Sequence, residues 1–408
     1  MNVSLNFKNK QINGRINLPA SKSISNRVLI INALANSELP VDNLADCDDT
    51  DCIFRVLNSD SNRFDIGHAG TAMRFLTAFL SRIIGKWEIT GSERMKQRPI
   101  GNLVEALNHL GARIEYTEKS GYPPLRIYGS LLVGGELEIP ASVSSQYISA
   151  LMMVAPYMKE GLLLRLAGKV VSGAYIDMTV RIMRDFGAEV VREGALVRIA
   201  PVPYRPVRFR VESDWSAASY FYELLAVADG GEIQLPGLLP ESVQGDARQV
   251  GLWEKLGILT QYTREGVVLR KKHPQISGLE YDFVEMPDLV QSFAVACCML
   301  DIPFHFSGVE TLRIKETDRI KALTEELAKL GYILRADGDN RLIWQGEKMP
   351  PVFCPEIHTY HDHRMAMAFA PAAFKFPGLI VCDGRVVTKS FPCYWEELKK
   401  WADIGFQD

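Results

Sequence analysis

Four glycines constrain this 408-residue chain more than any other feature. Gly111, Gly187, Gly257 and Gly331 each follow a stretch of helical apolar spacing and precede a short strand-like stretch. They stand 76, 70 and 74 residues apart. The segments are 103–116 (LVEALNHLGARIEY), 180–191 (VRIMRDFGAEVV), 252–262 (LWEKLGILTQY) and 320–335 (IKALTEELAKLGYILR). Glycine suits a helix end because left-handed backbone angles cost it no Cβ clash. In the first segment Val104, Leu107 and Leu110 share one helical face. Residues 50–63 and 394–406 are weaker copies, the former without glycine. The pattern predicts an α/β unit repeated about six times. Chance recurrence of Leu-Gly after helices is the alternative, and a near-constant period argues against it.

Strand-like stretches at 197–199 and 267–270 follow closely, as hairpins do. Parallel and antiparallel pairing must then mix, unlike a doubly wound sheet. Two similar halves are expected, with a boundary near the Pro-rich stretch 201–210 (PVPYRPVRFR). The composition, 47% hydrophobic and 23% charged, suits a packed globular protein. No apolar run approaches the roughly 18–20 residues that a membrane helix needs; the longest, 148–156 and 293–300, are core-sized. The opening MNVSLNFKNKQ has no apolar signal region, so a cytoplasmic location is expected. Forty-six Lys and Arg against 49 Asp and Glu leave a net charge of −3, which predicts no nucleic-acid or membrane partner. The seven Cys are scattered and odd in number, with Cys297 and Cys298 adjacent in an apolar run. They read as buried reduced thiols, and no spacing resembles a zinc site.

Cation-rich segments carry the chemistry. In 18–27 (LPASKSISNR), Lys22 and Arg27 flank a helix start with Ser21, Ser23 and Ser25 as cap candidates. Hydroxyls, free backbone N–H groups and two cations suit an anion. In 65–74 (DIGHAGTAMR), glycines allow close backbone approach, Thr71 can open a helix, and Arg74 lies one turn on. In 93–101 (ERMKQRPIG), Arg94, Lys96 and Arg98 occupy a short loop before a helix started by Pro99. In 143–149 (VSSQYIS), Ser144, Ser145 and Gln146 precede an apolar run, and Ser172 and Tyr175 in VSGAYID look similar. In 312–320 (LRIKETDRI), Lys315 and Arg319 are spaced to share a helix face, with Glu316 beside them. Arg364 in DHRMAM and Lys389 in TKSFP continue the theme. Taken singly, each segment equally suits an ordinary capped helix or a solvated basic loop. Jointly, eight cations (Lys22, Arg27, Arg74, Arg98, Lys315, Arg319, Arg364 and Lys389) fall at loop-to-helix junctions. If folding gathers them, small polyanions concentrate there. Asp288 (in MPDLVQS) and Glu316 are then proton-transfer candidates.

LPASKSISNR, GHAGTAMRFL, KQRPIG, SSQYISALMM, RIKETDRI, DHRMAMAF and TKSFPCYWEEL, in that order, resemble the 5-enolpyruvylshikimate-3-phosphate synthase family across essentially the whole chain. The resemblance implies a two-domain inside-out α/β barrel with three repeated α/β units per domain. The domains would be 20–212, on the shikimate-phosphate side, and 1–19 plus 213–408, with the chain crossing twice and the active site in the cleft that closes on substrate. It implies transfer of the enolpyruvyl group of phosphoenolpyruvate to the 5-hydroxyl of shikimate 3-phosphate, through a tetrahedral intermediate, with release of phosphate. Carried over by motif, Lys22, Gly70, Arg98, Gln146 and Lys389 resemble phosphoenolpyruvate contacts, with Arg319 and Arg364 on its carboxylate. Ser23 and Arg27 resemble the pair on the shikimate carboxylate. Ser144, Ser145, Ser172, Tyr175, Thr311 and Lys315 resemble the shikimate-phosphate pocket, which Lys22 and Gln146 adjoin. The resemblance implies that Asp288 binds the ring hydroxyls and takes the 5-hydroxyl proton. Glu316 is implied in proton exchange at the phosphoenolpyruvate methylene, with Lys22 as rival or partner. His68, Thr71, Arg74 and His363 would support these groups. No cofactor, no metal and a monomer are implied.

Two departures stand out: His68 replaces the usual Asn before Ala-Gly-Thr, and Thr311 replaces an Asn in the phosphate pocket. Trp215 in SDWSAAS is a smaller variation. Three other readings compete. The enolpyruvyl transferase acting on UDP-N-acetylglucosamine commonly uses a mobile-loop Cys, and none occurs here between Cys52 and Cys297. A metal-dependent hydrolase would use His358, His361, His363 and Asp362. A catalytically dead anion-binding module would lack the carboxylates, yet Asp288 and Glu316 are present.

Overall fold

The computed structural model describes residues 1–141 and 144–407, so Val143 of the 143–149 segment lies outside the described residues. The chain divides into two compact units, Ala20–Val211 and Met1–Pro19 with Glu212–Asp408.

The larger unit holds three four-stranded sheets of one design. Leu279–Asp282 lies parallel to Phe304–Ser307, which pairs antiparallel with Arg341–Trp344, and Arg335–Asp337 completes the sheet. A second sheet runs Gln11–Arg15, Gly230–Pro236, Gly266–Lys271, Ile258–Tyr262. The third runs Glu356–His358, Leu379–Cys382, Asn2–Phe7, Ala402–Gln407, so the first and last strands of the chain form the pair that is a hairpin in the other two. The unit 20–211 repeats the design in Arg63–Asp65, Lys86–Thr90, Leu125–Tyr128, Arg113–Tyr116 and in Gly135–Pro140, Leu162–Ala167, Leu196–Ile199, Val190–Glu193. Its third sheet has only Val41–Asp42 and Phe209–Arg210. There the helix Asp48–Leu57 runs on into the next sheet without a hairpin. That is why the 50–63 copy needs no glycine.

Two kinds of helix serve each repeat. A parallel strand pair needs a crossover, and a helix supplies it. Gly70–Arg82, Ser145–Val154, Val290–Leu300 and His363–Phe369 are crossover helices in this sense, while Lys22–Leu34 and Trp215–Val227 link strands of different sheets; all six are buried along most of their length. Return helices such as Gly101–His109, Gly173–Asp185 and Arg319–Lys329 are amphipathic and cover the outside. The four repeat glycines end the return helices with φ of +103°, +83°, +90° and +90°. Side-chain contacts show that buried helices start side by side within a unit. Gln146, second in its helix, donates to Thr71, second in its own, at 3.1 Å. Ser219 and Ser292 meet at 3.2 Å. Helix N-termini, with their unbonded N–H groups and positive dipole ends, therefore cluster at one end of each unit.

Several local readings need correction. Lys315 and Arg319 share no helix face: a 3-10 turn ends at Ile314, Lys315 is extended, and the helix begins at Arg319 with Asp318 as its cap. An N-cap Asp restarts the chain direction there. The 70–82 helix opens at Gly70, not Thr71, and the 101–109 helix at Gly101 with Ile100 as cap rather than at Pro99. The basic loop holds a one-turn helix, Glu93–Lys96, capped by Ser92. Cys47, Cys52, Cys297 and Cys298 are buried thiols, but Cys354 and Cys393 are exposed because they lie in surface turns. No helix among the described residues is long and apolar enough to cross a membrane.

The repeat glycines differ in what surrounds them. A Cβ on Gly187 meets only the Arg205 side chain at 3.3 Å, whereas on Gly331 it meets the Met349 carbonyl oxygen at 2.5 Å. Gly187→Ala should cost about 1–2 kcal/mol, the left-handed backbone penalty alone. Gly331→Ala should cost clearly more, since backbone must move. Urea unfolding of both variants checks the order.

Candidate active site

In the larger unit the predicted residues meet through one guanidinium. Arg319, 1% exposed, donates from Nε to Asp362 Oδ2 at 2.7 Å, from NH1 to Asp288 Oδ1 at 2.9 Å and from NH2 to Glu316 Oε2 at 3.1 Å. Asp288 also receives Arg364 NH2 on Oδ2 at 3.0 Å, and Lys315 Nζ lies 3.6 Å from its Oδ1. Glu316 receives Lys389 Nζ at 2.8 Å. Four cations and three carboxylates thus form one continuous network. Burial raises the Asp288 pKa, but Arg364, Lys315 and Arg319 outweigh it and hold the carboxyl well below its usual range. Burial works against the charge on Arg319 too, and Asp362, Glu316 and Asp288 more than compensate, so it stays protonated.

Asp362 is the residue that sequence reasoning undervalued. It is fully buried, caps the helix His363–Phe369 through the Arg364 N–H at 2.9 Å, and holds Arg319 by two donors. An Asp just before a helix start was its only signal. His363 packs beside it, buried, with Nδ1 3.6 Å from Asp362 Oδ1. The histidines of HTYHDH do not converge: His361 faces Asp383 at 3.0 Å, while Arg319 occupies Asp362. Among the described residues no three metal-ligating groups come together, and the hydrolase reading loses its ligand set. Thr311 lies in the 3-10 turn Glu310–Ile314, with its Oγ1 buried and unbonded among the described residues.

In the unit 20–211 the other predicted residues lie at or near four helix starts, those of Lys22–Leu34, Gly70–Arg82, Ser145–Val154 and Gly173–Asp185. Lys22 opens its helix, 3.4 Å from Asp49. Arg27, 2% exposed, donates to Thr179 Oγ1 at 2.8 Å, the Ser23 carbonyl at 2.9 Å, Ser149 Oγ at 3.1 Å and the Tyr175 carbonyl at 3.4 Å. Every one of these acceptors is neutral, and no carboxylate pairs with Arg27 among the described residues. Burial lowers its guanidinium pKa to about 10. Thr179 and Ser149 escaped the sequence reading because the contacts span 152 and 122 residues. Arg74 is buried on the Gly70 and Pro99 carbonyls at 3.1 and 3.2 Å, so it braces two loops. Arg98 lies over Gly70, where a Cβ would meet its NH1 at 2.6 Å. Its Nε makes no hydrogen bond among the described residues. Ser144 caps its helix through the Gln146 N–H at 3.3 Å, with Ser145 first in that helix. Ser172, a buried non-glycine residue at φ +56°, stands at the N-cap position of the 173–185 helix without a side-chain capping bond, and Tyr175 stands in its first turn. Strain of that kind clusters at functional positions. His68, exposed, meets Ser92 Oγ through Nδ1 at 3.0 Å.

The repeated sheets and the charged helix starts define a two-unit α/β protein equipped to handle small anions and move protons. The sequence profile of the family described as EPSP synthase (3-phosphoshikimate 1-carboxyvinyltransferase) matches residues 7–59 and 56–398. A protein named 3-phosphoshikimate 1-carboxyvinyltransferase from Bacteroides fragilis is 50% identical over 398 residues, 97% of this chain and 97% of that one. One of the same name from Photobacterium damsela subsp. piscicida is 37% identical, covering 95% of this chain and 97% of its own. The solved EPSP synthase of Acinetobacter baumannii superimposes with a TM-score of 0.80 at 21% identity, over 99% of this chain and 100% of that one, which shows a common fold. The chain belongs to the EPSP synthase family and is a transferase of the shikimate pathway. The UDP-N-acetylglucosamine alternative is not favoured by these matches.

The low pKa of Asp288 fixes a pH response. A carboxylate whose folded pKa lies below its unfolded value stabilises above the unfolded pKa and stops doing so as pH falls through the folded one. Stability should therefore fall on acidification, and the fall should be shallower in Asp288→Asn. At neutral pH that variant should lose about 3 kcal/mol, because cations are left unpaired. Chemical unfolding at several pH values measures both.

Proposed function

We propose that the chain transfers the enolpyruvyl group of phosphoenolpyruvate to the 5-hydroxyl of shikimate 3-phosphate. The observation that carries this reading is the Asp288, Glu316, Lys315, Arg319, Arg364 and Lys389 network, in which acid–base groups stand among anion-binding cations. Arg27, whose acceptors among the described residues are neutral, and Arg98 supply further positive charge from the 20–211 unit.

In this reading shikimate 3-phosphate is held mainly by the 20–211 unit. Arg27 and Ser23 take its carboxylate. Ser144, Ser145, Gln146, Ser172, Tyr175, Lys315 and Thr311 surround its phosphate. Arg319 and Arg364 take the phosphoenolpyruvate carboxylate, while Lys22, Arg98, Lys389, Gln146 and the Gly70 backbone take its phosphate. The enol carbon becomes electrophilic only when its methylene gains a proton, so an acid must stand there; Glu316 fills the role, with Lys22 as rival or partner. Asp288 accepts the 5-hydroxyl proton as the oxygen attacks that carbon. A tetrahedral ketal results. Loss of the methyl proton and of phosphate then restores the double bond. Fixed cations stabilise the charge that develops. Asp288 begins as a weak base because three cations hold it. Substrate anions that draw on Arg364 and Arg319 would release part of that hold and strengthen the base at the moment it is needed. Cytoplasmic location and a monomeric state complete the reading.

Lys22→Met and Glu316→Gln should each lower turnover by about a thousandfold, within the range of a lost acid–base group, with circular dichroism unchanged. A phosphate-release assay with both substrates decides it, and near-normal rates in either variant would remove that residue's role. Gly70→Ala should raise KM for phosphoenolpyruvate about tenfold, about 1.4 kcal/mol, with a smaller effect on kcat, because its Cβ displaces Arg98 from a binding position rather than a reacting one.

A further inference from the structure

We propose that Asp246 is a positioning residue for this reaction, a buried carboxyl that sets how strongly Arg364 attracts the substrate carboxylate. The inference rests on the assignment of Arg364 made above. None of the segments assigned to the site contains Asp246.

Asp246 lies in the short 3-10 turn Gly245–Gln249 and is 4% exposed. Ser216 donates its hydroxyl hydrogen bond to Asp246 Oδ2. Ser216 and Tyr220 are four residues apart on the helix Trp215–Val227 and share a face. Tyr220 OH accepts from Arg364 NH1 at 3.4 Å, and Arg364 continues to the Asp288 carbonyl at 3.2 Å and to its carboxylate. One helix face thus supports Asp246 at one end and Arg364 a turn further on.

Among the described residues, the charged groups that act on Asp246 are Asp288, Arg364 and the helix cap Asp214. Burial first, then Asp288, push its carboxyl up to about 7, against the pull of Ser216 and Arg364. Around neutral pH this side chain therefore gains and loses a proton without touching substrate. While it is neutral, it adds no negative charge to that of Asp288 opposite Arg364. Once it ionises, its negative charge acts on the same guanidinium through space, and an incoming carboxylate is held less tightly. The reciprocal holds by linkage: substrate on Arg364 makes Asp246 easier to ionise.

The test is KM for phosphoenolpyruvate at saturating shikimate 3-phosphate, followed from about pH 6 to pH 8 in wild type, Asp246→Asn, Ser216→Ala and Arg364→Lys. Asn mimics the neutral acid. The ratio of wild-type to Asp246→Asn KM should rise with pH by up to about tenfold per unit of pKa displaced, with kcat little changed. The substrate's own phosphate titrates in the same range, and the ratio removes it. Ser216→Ala, which deletes a bond favouring the charged form, should move the break to higher pH and serves if Asp246→Asn does not fold. Arg364→Lys should raise KM at every pH. A flat KM ratio, or an unmoved break in Ser216→Ala, overturns the role of Asp246 while leaving that of Arg364 standing. An Arg364→Lys KM equal to wild type overturns both.

Discussion

The larger unit turns on a buried guanidinium that three carboxylates share. Arg319 is almost wholly inside the protein, where an unpaired charge would be prohibitive. Asp362, Asp288 and Glu316 each take one edge of it. Each of the three comes from a different segment: a helix cap, the turn before a crossover helix, and the loop before a return helix. Satisfying Arg319 therefore fixes three loops relative to one another. Asp288 and Glu316 then have edges left over for Arg364, Lys315 and Lys389, so the structural network is also the chemical one.

The unit 20–211 solves the converse problem. Among the described residues Arg27 is buried on hydroxyls and carbonyls, with Phe75 and Tyr175 rings 5.3 and 5.8 Å from its guanidinium. Dipoles and ring faces hold it in place without cancelling its charge. The cost falls on stability, and the gain is a positive potential available to an anion. A carboxylate partner from the protein would have been more stable and of less use. One unit thus presents balanced charge with acid–base groups, and the other presents positive charge held by neutral contacts.

Both arrangements come from repetition. A crossover helix must return over its sheet to the next parallel strand, so the helices of a unit begin at the same end. Positive dipole ends and unbonded N–H groups gather there before any side chain is chosen. Cations, serines and glycines at those starts add to a field that the topology already supplies. The incomplete third sheet in the 20–211 unit shows that the helices, rather than the hairpins, are what the design requires.

Much of this was legible in the amino-acid sequence. The glycines at 111, 187, 257 and 331 marked the return helices, because only a residue without Cβ enters those left-handed turns cheaply. The cations of LPASKSISNR, RIKETDRI and DHRMAM marked the helix starts, and motif order over the whole length marked the family. Local patterns are visible because backbone preference and apolar period act over a few residues. The pairing of those residues was not visible. Spacing put Lys315 and Arg319 on one helix face, yet Asp318 caps a helix that begins only at Arg319, and the two cations meet on Asp288 instead. That Asp362 anchors Arg319 over 43 residues, and that Arg27 finds Thr179 over 152, depends on which segments packing brings together. Charge and hydrogen-bond satisfaction in a dry interior are settled between chain segments far apart, and only tertiary structure determines those neighbours.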